Sequence, residues 1–145
     1  LIYLRNLSEG LNIIIWLFLT VWITDIFAFF IGKLIGGYKL APIISPNKTY
    51  SGAIGAIIFS ALFSHYFGKY LEIEDLQYFI IITCLVSIFS QLGDLIESGL
   101  KRYFAIKDSG DIFPGHGGIL DRVDGILLAA PFVFFIEKFN YGVFF

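Results

Sequence analysis

Residues 107–124 read KDSGDIFPGHGGILDRVD and hold four carboxylates (Asp108, Asp111, Asp121, Asp124), two basic groups (Lys107, Arg122), one imidazole (His116) and four glycines. Asp121 and Asp124 are i, i+3 neighbours and share a helix face. Two carboxylates held close repel unless a cation or a proton relieves them. Mg²⁺ answers that need with oxygen ligands, commonly one or two carboxylates plus substrate phosphates. Gly117 and Gly118 precede a helix start, where free N–H groups and the helix dipole favour anions and glycine permits close approach. For the glycines alone a tight turn with an exposed His116 explains as much. The flanking Lys101-Arg102 pair and the DRVD run tip the balance towards phosphate chemistry.

Two further carboxylates stand alone in apolar surroundings, Asp25 and Asp94. Ser90, Asp94 and Ser98 recur every four residues, with Gln91 and Glu97 three residues either side of Asp94, so one polar stripe runs along an otherwise apolar helix. For Asp25 the plain alternative is a hydrogen bond to Thr20 or Thr24 beside it. In SPNKTYSG, residues 45–52, any of Ser45, Asn47 and Thr49 can cap the helix that follows. Lys48 at that helix start is placed to meet a phosphate, with Lys33 and Lys39 nearby in sequence. Ser51, Gly52 and Gly55 are small residues of the kind that let membrane helices pack closely.

The elements that must position these groups are membrane helices. The chain has 145 residues, 57% of them hydrophobic, with 17 Phe and only 15% charged. Its mean hydropathy of +0.81 exceeds what one soluble core needs. The balance of ten basic and twelve acidic residues argues against a nucleic-acid partner. The aromatics read as packing or lipid-facing groups, and lone Cys84 forms no intrachain disulfide. Four apolar runs, residues 11–31, 50–67, 78–100 and 118–135, are each about 20 residues long, enough to span a bilayer. The expected fold is an all-α integral membrane protein of about four transmembrane helices with two basic connections. Lys33, Lys39 and Lys48 lie in the first connection and Lys101, Arg102 and Lys107 in the third, so both face the cytoplasm by the positive-inside rule. The first residue is Leu and methionine is absent, so residues 1–145 are expected to form one transmembrane catalytic domain, the C-terminal part of a longer multispan chain.

A charge at the bilayer centre costs about 2.5–3.5 kcal/mol on insertion scales, so intramembrane carboxylates signal function. At about 1.5 Å rise per residue, Asp25 lies about 12 Å from Lys33, Asp94 about 10 Å from Lys101, and Asp124 about 9 Å from Gly118. The three depths agree. Packed together, these helices form an acidic pocket inside the membrane, open to the cytoplasmic side and roofed by basic connections.

The run Ser98-Gly-Leu-Lys101-Arg102, then Lys107-Asp108-Ser109-Gly110, Pro114-Gly115-His116-Gly117-Gly118 and Asp121-Arg122-Val123-Asp124 is similar throughout to the signature of phosphatidate cytidylyltransferases, also called CDP-diglyceride synthetases. SQLGDLIES and SPNKTYSG resemble further family segments, so the resemblance covers nearly the whole chain. Family members often carry Trp-Glu where this chain has Tyr50-Ser51, so no acidic role is assigned there. The resemblance implies transfer of CMP from CTP to phosphatidate, giving CDP-diacylglycerol and pyrophosphate, with Mg²⁺ as cofactor. It implies Asp94, Asp121 and Asp124 as catalytic metal ligands, with Asp25 a fourth. Lys101 and Arg102 then act on transferring phosphates, and Lys48, Lys107, His116, Gly117, Gly118 and Arg122 bind substrate. The expected setting is a bacterial inner membrane with the site facing the cytoplasm, and the sequence permits a homodimer.

Three other classes compete. A cation transporter accounts for Asp25 and Asp94 but leaves the basic, glycine-rich connection unexplained. A CDP-alcohol phosphotransferase shares DRVDG superficially, yet Ile126-Leu127-Leu128 stands where Ala-Arg should follow. A membrane assembly subunit without chemistry predicts that the carboxylates can be neutralised with no loss of activity.

Overall fold

The computed structural model describes residues 1–7, 9–104 and 124–140. A short helix α1 (Ile2–Arg5) leads into α2 (Gly10–Ile35), followed by α3 (Tyr50–Tyr70), α4 (Leu76–Tyr103) and α5 (Asp124–Asn140). Helices α2, α3 and α4 are long and apolar enough to cross a membrane. They coincide with the first three expected spans and overrun them mainly at their ends, where Lys33, Lys69, Lys101 and Arg102 carry the chain towards water. The chain is an integral membrane protein. The fourth expected span began at Gly118, whereas the described helix begins at Asp124, and residues 118–123 lie outside the described residues. At 17 residues α5 is about 26 Å long.

Lipid tails are as apolar as leucine, so these helices cannot be held together by hydrophobicity alone; close packing and buried polar contacts do that work. Thr24 on α2 makes the central contact. Its Oγ1 shares hydrogen bonds with Ser60 of α3 at 3.0 Å and Ser87 of α4 at 2.9 Å, and it also meets the Thr20 carbonyl at 2.8 Å. One turn of hydroxyls therefore ties three helices. Nearer the other end, the buried Trp16 donates its indole N–H to Thr83 at 3.1 Å, while Trp22 is exposed. The core around them includes Leu17 and Val21 of α2, Phe79 and Val86 of α4, and Ala129 and Val133 of α5.

The first connection contains structure that the sequence reading did not anticipate. Strands β1 (Lys39–Ala41) and β2 (Ser45–Thr49) form an antiparallel hairpin, with Lys39 opposite Thr49 and Ala41 opposite Ser45. The chain leaves α2 through Gly36 and Gly37 at φ +67° and +98°, a region that disfavours side chains bearing a Cβ. The Ser51 hydroxyl donates to the Gly36 carbonyl at 2.5 Å, and the Tyr50 amide donates to the Tyr38 carbonyl at 3.1 Å. Thr49 is the N-cap of α3, its Oγ1 accepting from the Gly52 amide at 3.1 Å. On the far side the hairpin meets α4, where Arg102 Nε donates to the Ile44 carbonyl at 3.3 Å. The hairpin thus straps the ends of α2 and α3 to the end of α4 and brings Lys39 and Lys48 to the end of the bundle where Lys101 and Arg102 lie.

Candidate active site

Beneath the hairpin lies a cavity of about 670 Å³, within the range of small-molecule sites. Helix α2 supplies Asp25 and Lys33 to its wall, the hairpin supplies Lys39, Asn47 and Lys48, and α4 supplies Gln91 and Asp94. Asp25 is solvent-accessible within this opening. The plain alternative for Asp25 is not realised: the Thr24 hydroxyl is spent on Thr20, Ser60 and Ser87 instead.

Glycines set how closely the carboxylates approach. A Cβ built on Gly93 would lie 2.7 Å from the Asp124 carbonyl oxygen, and one built on Gly125 would lie 2.5 Å from Ser90 Oγ. Helices α4 and α5 therefore cross almost backbone to backbone, and the residue following Gly93 and the residue preceding Gly125 are Asp94 and Asp124. Asp124 opens its helix, where an acidic side chain is favoured by the dipole, and its Oδ1 accepts from the Gly125 amide at 2.7 Å. Asp25, Asp94 and Lys48 line one cavity, and the close crossing of α4 and α5 sets the start of α5, at Asp124, against the residue before Asp94.

Two lysines are stored on carboxylates. Lys48 Nζ forms an ion pair with Asp94 Oδ2, both side chains being about one-quarter exposed. One turn on, Lys101 Nζ lies 2.7 Å from Glu97 Oε2, a pair almost buried on the Glu97 side. Ser98 Oγ donates to Asp94 Oδ1 at 3.3 Å, completing the polar stripe. Glu97 is the residue whose part was not assigned from sequence, although Glu four residues before Lys on a helix is a legible pairing signal. Arg102 is exposed and holds the hairpin at Ile44. Lys107, His116, Gly117, Gly118, Asp121 and Arg122 lie outside the described residues.

Among the described residues no group of three His, Cys, Asp or Glu side chains is gathered closely enough to hold a metal by itself. The donor set nonetheless fits a divalent cation of the magnesium type, which binds through one or two carboxylates and leaves its other positions to water and phosphate. Asp25 and Asp94 share the cavity wall with Lys33, Lys39 and Lys48, so carboxylate donors and ammonium groups suited to phosphate stand together. The Lys48 ammonium on Asp94 is a cation that this carboxylate already attracts.

A bundle of membrane-length helices with a cavity at one end that carries both carboxylates and lysines defines an integral membrane protein with a built polar site. Residues 1–139 match the model of the cytidylyltransferase family, and the chain belongs to that family. It is 49% identical over 125 residues to the phosphatidate cytidylyltransferase of Staphylococcus saprophyticus, covering 86% of this chain and 48% of that protein. It is 45% identical over 137 residues to the phosphatidate cytidylyltransferase of Bacillus subtilis, covering 93% of this chain and 51% of that protein. The chain spans about half the length of the curated relatives it matches.

Proposed function

We propose that the protein transfers CMP from CTP to phosphatidate, giving CDP-diacylglycerol and pyrophosphate, at the cytoplasmic face of a bacterial inner membrane. The observation that carries this reading is a cavity that holds Asp25, Asp94 and Lys48 together, beside the crossing where α5 begins at Asp124, in a chain of the cytidylyltransferase family. A phosphate monoester oxygen of phosphatidate attacks the α-phosphorus of CTP, the bond from that phosphorus to the bridging oxygen breaks, and pyrophosphate leaves with the electron pair. The second pKa of a phosphate monoester is about 6, so the nucleophile is largely ionised at neutral pH and needs no strong base. The obstacle is repulsion between two anions, which positioned cations reduce.

Asp94, Asp121 and Asp124, with Asp25 a fourth, would hold Mg²⁺, which would supply positive charge at the triphosphate. Lys48, Lys101, Arg102, Lys107 and Arg122 hold the phosphates and the departing pyrophosphate. His116, Gly117 and Gly118 take part in substrate binding. The cavity admits nucleotide from the aqueous side, while the apolar faces of α2 and α3 lie against the leaflet that supplies the lipid. The bias of Lys33, Lys39, Lys48, Lys101 and Arg102 to one end supports the cytoplasmic orientation. The transporter reading has nothing further in its favour.

The test is transfer of label from CTP, radioactive at the α-phosphate, into organic-extractable lipid by membranes containing the protein. Label that needs phosphatidate and Mg²⁺, and that is lost in well-expressed Asp94→Asn and Asp121→Asn, is the expected result. No lipid label from the folded wild type sinks the assignment and brings the transporter reading forward.

A further inference from the structure

The Lys48–Asp94 pair joins two groups that the proposed reaction needs apart, the ammonium on phosphate and the carboxylate on metal. We infer that Lys48 is the resident counter-ion of Asp94, and that a divalent cation reaches Asp94 only in exchange for it. This rests on the reading above and adds an order to it: free metal meets a masked carboxylate, whereas metal arriving on a nucleotide brings phosphates that receive the displaced ammonium.

The geometry supports an exchange. Lys48 sits on β2, one residue before the Thr49 cap, so its backbone is anchored while its side chain spans the cavity to α4. The pair lines the cavity with about one-quarter of each side chain exposed while the Lys48 ammonium itself is covered, so an incoming ion meets Asp94 as the lysine side chain moves, without unpacking of the bundle. Asp94 keeps Ser98 on its other oxygen, which holds the carboxylate in place when the lysine leaves. A flexible four-carbon stem with a point charge suits this duty, because it can move from carboxylate to phosphate without realigning a planar fork. The exchange also avoids leaving either charge unpaired in a low-dielectric site, the costly outcome when a single partner departs.

The test uses purified full-length protein in detergent with Mn²⁺ as the probe, read by the fall in free-ion electron paramagnetic resonance signal without nucleotide. Lys48→Met removes the competing cation at nearly constant volume. Its Mn²⁺ affinity rises at least about tenfold over wild type, since a unit charge a few ångströms away in a partly buried site is worth that much or more. Its KM for CTP rises in parallel, and Lys48→Arg keeps near-wild-type metal affinity. A merely structural lysine would leave metal binding unchanged or weaker in Lys48→Met, and either result overturns the exchange. Wild type alone supplies a second arm: saturating Mn²⁺ speeds acetylation of Lys48 by acetic anhydride, read by mass spectrometry, and added CTP then protects it. A Lys48 acetylation rate indifferent to Mn²⁺ overturns the inference whether or not the variant folds. Missing lipid label in wild type defeats the cytidylyltransferase reading and is scored separately from both metal arms.

Discussion

Replacing Gly93 by alanine tests whether the crossing of α4 and α5 holds the carboxylates in register. The added methyl would sit 2.7 Å from the Asp124 carbonyl oxygen, while ordinary contact begins at 3.4 Å, so the helices must part by about 0.7 Å, the difference. The obstacle is backbone on a helix, which cannot swing aside as a side-chain tip can. Overpacking of this kind costs about 1–3 kcal/mol. It also shifts Asp124 away from Asp94, and a displacement approaching 1 Å costs up to about 100-fold in rate where reacting groups must be aligned. The internal control is Gly99→Ala on the same helix, where the nearest atom to the new methyl is Ile44 Cδ1 at 3.7 Å. That change gains helix propensity, about 1 kcal/mol, without a clash. Unfolding of both variants in mixed micelles by increasing SDS, with the lipid-labelling rate beside it, reads the two effects. A Gly93→Ala protein as stable and as active as Gly99→Ala would refute the claim that backbone contact positions the site.

Thr24→Val leaves the Ser60 and Ser87 hydroxyls without their shared partner in the bundle interior and lowers stability by about 1–3 kcal/mol, whereas Thr24→Ser retains most of it, in the same SDS titration. Glu97→Gln removes the charge that holds Lys101 at 2.7 Å, and the expected loss is also about 1–3 kcal/mol because the pair is mostly shielded from water. The same variant raises KM for CTP as Lys101 loses its fixed position, so an unchanged KM in a folded protein would deny Lys101 a part in binding phosphate.

Composition and run length determined the membrane character and three of the helices, because an apolar stretch of bilayer length has no other stable way to satisfy its backbone. A cap among Ser45, Asn47 and Thr49 and the Ser90, Asp94, Ser98 stripe were legible, since both depend on spacing along a single helix or its first turn, while the structure singled out Thr49. The hairpin was not legible: strands of three and five residues with Pro46 in one of them carry no alternating pattern, and they pair because α2 and α3 bring Tyr38 and Tyr50 together. The partners of the charged groups were likewise settled by the tertiary structure. Lys48 and Asp94 are 46 residues apart on a strand and a helix, and only the strap from α3 to α4 makes them an ion pair. Local periodicity is written in the chain because it depends on backbone geometry alone, whereas which lysine meets which carboxylate depends on how closely glycines and hydroxyls let the helices cross.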